Sequence, residues 1–226
     1  MGFLKGVAIA LVIAAVGSAA VNAAELPVNE MPMYNYDAPK TEDMKVADYI
    51  FIAQMVEKEG SRENAALAAI EWGWSYYEKG DLASAMKRFN QAYLLDPSQG
   101  EAYTGMAVIV SDRDQNEEEV ETLFRLAISS GKHTFVTYRN YGSFLFHNGR
   151  AEDARDLLAK GIAEWPEAFF VRMMYAGALE ATGREPQAQT EMLRACEDAE
   201  RMNTHIGRPE APSMKGACEM VGISLP

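Results

Sequence analysis

Histidine and cysteine are scarce in this chain of 226 residues, which holds three histidines and two cysteines. His133, His147 and His205 are too scattered to suggest a metal triad, and His133 and His205 fall in predicted loops. No serine lies in a pattern with a histidine and an acid that would form a nucleophilic triad, and the carboxylates fall mainly on exposed helical faces. We therefore expect a protein that is not an enzyme and that holds no cofactor and no metal.

Basic residues are also few, since 21 Lys and Arg stand against 33 Asp and Glu, a net charge of −12. Nucleic acids and anionic membranes attract clustered Lys and Arg. The acidic composition therefore argues against both classes of partner, although it does not identify the partner that the chain has.

Long apolar runs are absent except at the N-terminus. Residues 1–23 carry Lys5 as their single charge, then an apolar run from Val7 to Val16, then small residues. This order is typical of a secretory signal peptide. A retained membrane anchor is the alternative, but the run is shorter than the roughly 20 residues that a spanning helix needs.

We place the cleavage after Ala23, with Ala24 as the alternative. Removing the leader leaves 20 basic against 33 acidic residues, a net charge of −13. No other segment is apolar enough to span a bilayer, so we expect an exported, periplasmic mature chain; a secreted or leader-anchored form is the alternative.

The two cysteines, Cys196 and Cys218, both lie near the C-terminus. An exported chain meets an oxidising compartment, where two neighbouring thiols are normally paired. A metal site needs more ligands, and a redox pair more often reads Cys-x-x-Cys. We expect a structural disulfide.

Residues 24–41 contain three prolines and follow neither a helical nor a strand period, which predicts an extended, mobile leader. Met31 and Met33 are only weak evidence for a copper-binding site, because no histidine or cysteine adjoins them.

Residues 42–60 then form a predicted N-terminal helix that Thr41 or Asp43 caps. Its apolar face needs a partner, and it either covers the first repeat or lies in a groove.

Large and small residues alternate at helical spacing in two segments that Gly80 and Asp81 separate. A glycine of the same kind recurs at Gly149, 69 residues later, and at Gly183, another 34 residues on. A period near 34 residues is typical of a solenoid of helix pairs. The prediction is an all-α chain: an α-solenoid of about four helix pairs over residues 61–202, preceded by one extra helix and closed by a C-terminal cap over residues 203–226.

The repeats are predicted near residues 66–98, 100–132, 135–167 and 168–202, and the second is degenerate because its turn lacks glycine. Small and large residues at helical spacing are expected to pack the helices together. In the first repeat they are Trp72, Gly73, Tyr76, Gly80, Ala85, Phe89 and Pro97, and in the third and fourth they are Gly142, Gly149, Ala154, Pro166, Gly183 and Ala188.

This pattern resembles the tetratricopeptide repeat (TPR) family over about Ala66 to Met202. The resemblance implies antiparallel helix pairs in a right-handed superhelix, whose concave groove binds peptides or partner helices, and it implies no enzymatic activity. Carried over position by position, the resemblance implies a partner-binding groove formed by Trp74, Tyr77, Arg139, Phe146, His147, Phe170 and Met173. Thr104, Val108 and Ser111 would face the same groove from the second repeat.

These observations favour an exported scaffold that binds an envelope protein through its concave groove. Trp74 and Tyr77 are either exposed to that partner or covered by the helix of residues 42–60. The alternative function is an accessory subunit of a secretion, pilus or cell-wall machine, in which the solenoid is a structural spacer. A metal-handling protein or enzyme using the Met-rich leader is a third hypothesis.

Overall fold

The computed structural model describes residues 26–36, 39–113 and 116–206, together with Cys218. The predicted signal peptide and most of the predicted cap lie outside these residues. The described part contains nine α-helices, and two 3₁₀ turns at Val28–Glu30 and Pro32–Tyr34 precede them. The helices are α1 (Glu42–Glu59), α2 (Arg62–Glu78), α3 (Leu82–Leu95), α4 (Gly100–Arg113), α5 (Glu117–Ser129), α6 (Phe135–His147), α7 (Ala151–Glu164), α8 (Phe169–Ala181) and α9 (Glu185–Ile206).

Side-chain caps explain where several of these helices begin. Thr41 accepts a hydrogen bond from the Met44 amide at the start of α1, and Asp81 accepts one from the Ser84 amide at the start of α3. Each cap satisfies an amide that has no partner within its helix. Gly80 ends the preceding turn with φ of +76°, a conformation that glycine adopts without a steric penalty. The recurring glycine of the sequence therefore marks the turn inside a helix pair.

The helices pack as four consecutive pairs: α2 with α3, α4 with α5, α6 with α7 and α8 with α9. Short turns make each pair antiparallel. The first helices of successive pairs also contact one another: α2 contacts α4, α4 contacts α6, and α6 contacts α8. This arrangement is the predicted α-solenoid, in which each pair buries its apolar face against its neighbours.

The packing inside the pairs depends on glycines that lie under large side chains. A Cβ atom added at Gly142 would lie 2.6 Å from Cδ2 of Leu158, and one at Gly161 would lie 2.8 Å from Cβ of Tyr138. Phe89, one of the predicted packing residues, is fully buried, and its ring lies directly over Gly73. Trp72 remains half-buried.

Helix α1 packs at the N-terminal end of the solenoid, against α2 and the edge of α3. Phe51, Ile52 and Met55 face the core, and the Lys58 ammonium lies 4.6 Å from the centre of the Trp72 ring. Of the two positions that the sequence left open, α1 therefore takes the one that covers the first repeat. None of the helices in the described ranges is long and apolar enough to cross a membrane.

The leader differs from its prediction. Residues 28–34 form two 3₁₀ turns that pack against α3, so the expectation of an extended, mobile segment is wrong there. Pro32 is buried, and the side chain of Asn90 donates hydrogen bonds to two leader carbonyl groups. These partners lie about 60 residues apart in sequence, so no local pattern indicates them.

At the other end of the solenoid, Cys196 of α9 is joined to Cys218 in a disulfide. The two Cα atoms lie 6.2 Å apart and both side chains are buried. Helix α9 continues to Ile206, beyond the predicted end of the fourth repeat at residue 202.

Candidate partner-binding groove

A cavity of about 340 Å³ opens where α2, α4 and α6 lie side by side. These are the first helices of three successive pairs. The cavity therefore lies on the face that the TPR resemblance implies to be concave. Its wall is formed by Tyr77, Val108, Ser111, Asp112, Phe124, Asn140, Ser143, Phe144, His147 and Asn148.

Tyr77 and Asp112 join the first and second repeats across this cavity. The Tyr77 hydroxyl donates a hydrogen bond of 2.8 Å to Oδ2 of Asp112. Burial and this hydrogen bond to the carboxylate raise the pKa of Tyr77 to about 12, because both favour the neutral phenol. Tyr77 therefore stays a donor at neutral pH and fixes the position of the Asp112 carboxylate.

On the α6 side of the cavity, most of the side-chain N–H groups are used within the helix. The polar atoms that can bind a ligand there are therefore mainly hydrogen-bond acceptors. Nδ1 of His147 lies 2.7 Å from the Ser143 carbonyl oxygen, an acceptor, which assigns a proton to Nδ1 and makes Nε2 of the neutral ring an acceptor. Asn140 and Asn148 each donate from Nδ2 to a backbone carbonyl four residues earlier in α6. The Asp112 carboxylate and the amide oxygens therefore give the cavity an acceptor-rich lining.

Aromatic rings pack against several residues of the cavity wall. Trp74 packs edge-on against Tyr77, with ring centres 5.8 Å apart, and against Phe89, with ring centres 5.1 Å apart. Phe124 stacks on Tyr141 with ring centres 4.8 Å apart. Trp74 is half-buried and does not line the cavity, so its position is that of a support for Tyr77.

The seven residues predicted for the groove therefore divide into groups. Tyr77 and His147 line the cavity, and Trp74 packs edge-on against Tyr77 without lining the cavity. Arg139 of α6 lies with its guanidinium carbon 6.0 Å from the centre of the Phe170 ring of α8. Arg139 and Phe146 belong to α6, and Phe170 and Met173 belong to α8. Phe146 and Phe170 are 41% and 40% exposed.

Sequence reasoning missed some residues of this site. Asp112 was not among the residues predicted for the groove, yet it lies at the C-terminal end of α4 and faces the cavity. Thr104 was expected in the groove but is fully buried, with its hydroxyl 2.8 Å from that of Thr137. The pairs Thr104–Thr137 and Tyr77–Asp112 are separated by 33 and 35 residues, close to one repeat, which is the signal that could have found them.

No family model matches the chain. Among curated proteins, the type IV pilus assembly protein PilF of Pseudomonas aeruginosa PAO1 is 28% identical over 93 residues, which cover 41% of this chain. The match spans only 36% of the length of PilF.

Two solved structures resemble the fold. The structure of Pseudomonas aeruginosa PilF superposes with a TM-score of 0.55 at 23% identity, covering 61% of this chain and 62% of PilF. The crystal structure of MamA superposes with a TM-score of 0.51 at 17% identity, covering 74% of this chain and 99% of MamA. The chain has the tetratricopeptide-repeat fold. This TPR architecture is what positions the cavity between α2, α4 and α6.

Proposed function

We propose that this TPR chain is an exported interaction scaffold of the cell envelope, that it holds a segment of a partner protein in its concave groove, and that it catalyses no reaction of its own. The signal-peptide pattern of residues 1–23 supports export. The observation that carries the binding function is the cavity in which Tyr77 positions the Asp112 carboxylate across two repeats. A solenoid serving only as a spacer has no need of such a cavity.

The chemistry of the cavity favours a basic side chain as the partner group that enters it. The Asp112 carboxylate and the acceptor atoms of α6 complement the donors of Lys or Arg. Tyr77 and Phe144 supply aromatic surface, against which a cation is stabilised. The net charge of the mature chain, −13 after removal of Lys5, attracts a basic segment over a longer range.

The surface of α6 and α8 beside the cavity supplies the apolar part of the binding site. Phe146 and Phe170 expose rings there, and exposed aromatic side chains are common anchors at interfaces. Arg139 contacts the Phe170 ring and interacts electrostatically with the Glu101 carboxylate. The proposed partner segment therefore places a basic residue next to apolar residues.

A capture experiment tests this function. The tagged mature chain and its Asp112→Asn variant are incubated with envelope extract, and the retained proteins are compared by quantitative mass spectrometry. We expect a partner that the wild type retains and the variant loses. Asp156→Asn on α7 is the matched control, because it removes the same charge from an exposed side chain away from the cavity. Equal retention by all three chains argues against the groove.

A second candidate function is that of an assembly subunit of a pilus or related envelope machine. The likeness to PilF, a type IV pilus assembly protein, favours it. If the solenoid serves there as a spacer, the captured proteins are components of such a machine, and their retention survives both Asp112→Asn and Phe146→Ala. The same experiment, with Phe146→Ala added as a further variant, therefore separates the two functions.

A further inference from the structure

Residues 26–36, here called the strap, lie on the face opposite the concave groove. The strap packs on α3, the second helix of the first pair, and a cavity of about 440 Å³ remains between it and α5. Here the term channel means the surface that receives the strap, formed by α3, the C-terminal end of α4 and α5. The channel and the concave groove are thus separate sites on the same solenoid.

The channel recognises the backbone of the strap. Nδ2 of Asn90 donates to the carbonyl oxygens of Asn29 and Met31, at 3.0 and 2.8 Å. The guanidinium group of Arg113 donates to the carbonyl oxygen of Glu30 at 2.9 Å. These contacts go to backbone carbonyl groups and therefore do not depend on the strap side chains.

Asn90 indicates that this surface is built to be occupied. Its side chain is fully buried, and its Oδ1 accepts no hydrogen bond from the residues that the structure describes. A buried amide is destabilising unless it is hydrogen-bonded, and both of its donor bonds go to the strap. Without a peptide in the channel, Asn90 loses both partners.

The strap is connected to α1 through a strained turn. Met33, Tyr34 and Asn35 have φ angles of 51°, 57° and 56°, the left-handed region that residues other than glycine rarely adopt. This turn is where the chain leaves α3 on its way to α1. Residues 33–41 extend to about 30 Å when straightened, so an opened turn can carry residues 26–32 to a neighbouring molecule.

We propose that residues 26–32 of one copy dock in the channel of a second copy, and that two chains exchange their straps to form a dimer. In the dimer the strap makes the same contacts with the channel that it makes within one chain. The shape and the hydrogen-bonding groups of the strap therefore already match the channel. Opening the turn relieves its strain, and strained hinges favour such exchange. The dimer uses the face opposite the concave groove, so the inference is independent of the proposed function.

Glu30 and Lys87 provide a charge-reversal test, because the strap carboxylate lies 3.0 Å from the ammonium of α3. The two mature full-length variants Glu30→Lys and Lys87→Glu are purified separately and then mixed. Within either chain the strap meets a like charge. In a swapped heterodimer both straps meet an opposite charge. We expect native mass spectrometry and light scattering to show a 1:1 heterodimer in the mixture that neither variant forms alone.

Two controls assign that dimer to the channel. The double variant Glu30→Lys/Lys87→Glu restores attraction within one chain and between its own copies, so it should form no heterodimer when mixed with the wild type at the same concentration. Asn90→Ala added to both single variants should abolish the heterodimer, with circular dichroism confirming that the chains remain helical. A mixture that stays monomeric, or a heterodimer that persists after Asn90→Ala, overturns the proposal.

Discussion

The ring of Phe89 is buried against Gly105, a glycine of the next repeat, and also against Gly73 of its own pair. A Cβ atom added at Gly105 would lie 2.3 Å from the ring, and one added at Gly73 would lie 2.7 Å from it. Two consecutive repeats thus share one aromatic side chain, and neither helix tolerates even a methyl group at its contact point. Gly105 was not among the packing residues found from the sequence.

We expect Gly105→Ala to lower the free energy of unfolding by about 1–3 kcal/mol, because the methyl group overpacks a ring that has nowhere to move. Gly73→Leu should have a larger effect of the same sign. Urea unfolding followed by circular dichroism measures both. Gly177→Ala is the control, since a Cβ there meets nothing within 4 Å. It should stabilise α8 by roughly 0.5–1 kcal/mol. An unchanged midpoint for Gly105→Ala contradicts the packing described here.

The Cys196–Cys218 bond is expected to hold the C-terminal segment on the last repeat. An end repeat leaves an apolar face without a following unit, so a cap is needed. The cysteines are 22 residues apart, and closing a loop of this size stabilises by roughly 3 kcal/mol in the chain-entropy model. Cys218→Ser should lower the unfolding midpoint accordingly. Two free thiols titrated in the denatured, unreduced protein would show that the bond does not form in the exported chain.

Asp96 is expected to make stability depend on acid pH. Burial alone would raise the pKa of Asp96, but hydrogen bonds from Ser98, Lys132 and Gln99 lower it to about 2. Because the unfolded chain has a pKa near 3.9 at this residue, the stabilisation is present above about pH 4 and is lost as the pH falls towards 2. The side chain is 18% exposed, so we expect about 1–2 kcal/mol.

Comparing wild type with Asp96→Asn measures this contribution. The difference in unfolding free energy should be full at pH 7 and should shrink as the pH falls from about 4 towards 2, because protonation progressively makes Asp96 neutral, as Asn is at every pH. Glu57→Gln, which removes an exposed carboxylate on α1, is measured over the same pH range as the control for loss of a charge. A difference that is constant with pH argues that Asp96 acts through packing and not through its charge.

The leader prediction is checked on exported material. N-terminal sequencing of the mature protein should begin at Ala24 or Glu25, because residues 1–23 have the pattern of a cleaved signal peptide. The presence of Met1 or Gly2 on exported protein contradicts that prediction.

The helix pairs could be predicted from sequence because their determinants are local and repeat. Gly80, Gly149 and Gly183 end one helix of a pair, and each has the positive φ that its position requires. The strap could not be predicted in the same way. Asn90 is 61 residues from Asn29, and it bonds to backbone groups that carry no signal in the residue types.

The groove was predicted only in part for a similar reason. Two of the seven residues that the family resemblance implied for the groove, Tyr77 and His147, line the cavity, whereas Asp112 was not implied by it. The role of Asp112 follows from the hydrogen bond that Tyr77 donates across two repeats. Helical spacing identifies a face, whereas the polarity of a cavity depends on which distant side chains meet there.

Calorimetric titration of the captured partner against the mature chain decides whether the concave groove is the binding site. Asp112→Asn and Phe146→Ala should each weaken the Kd by roughly 10- to 30-fold, about 1.4–2 kcal/mol, through loss of a charge-assisted hydrogen bond and of an aromatic anchor. Raising the salt concentration should weaken the wild type more than Asp112→Asn. Unchanged affinity in both variants, with helicity intact, would contradict binding in this groove.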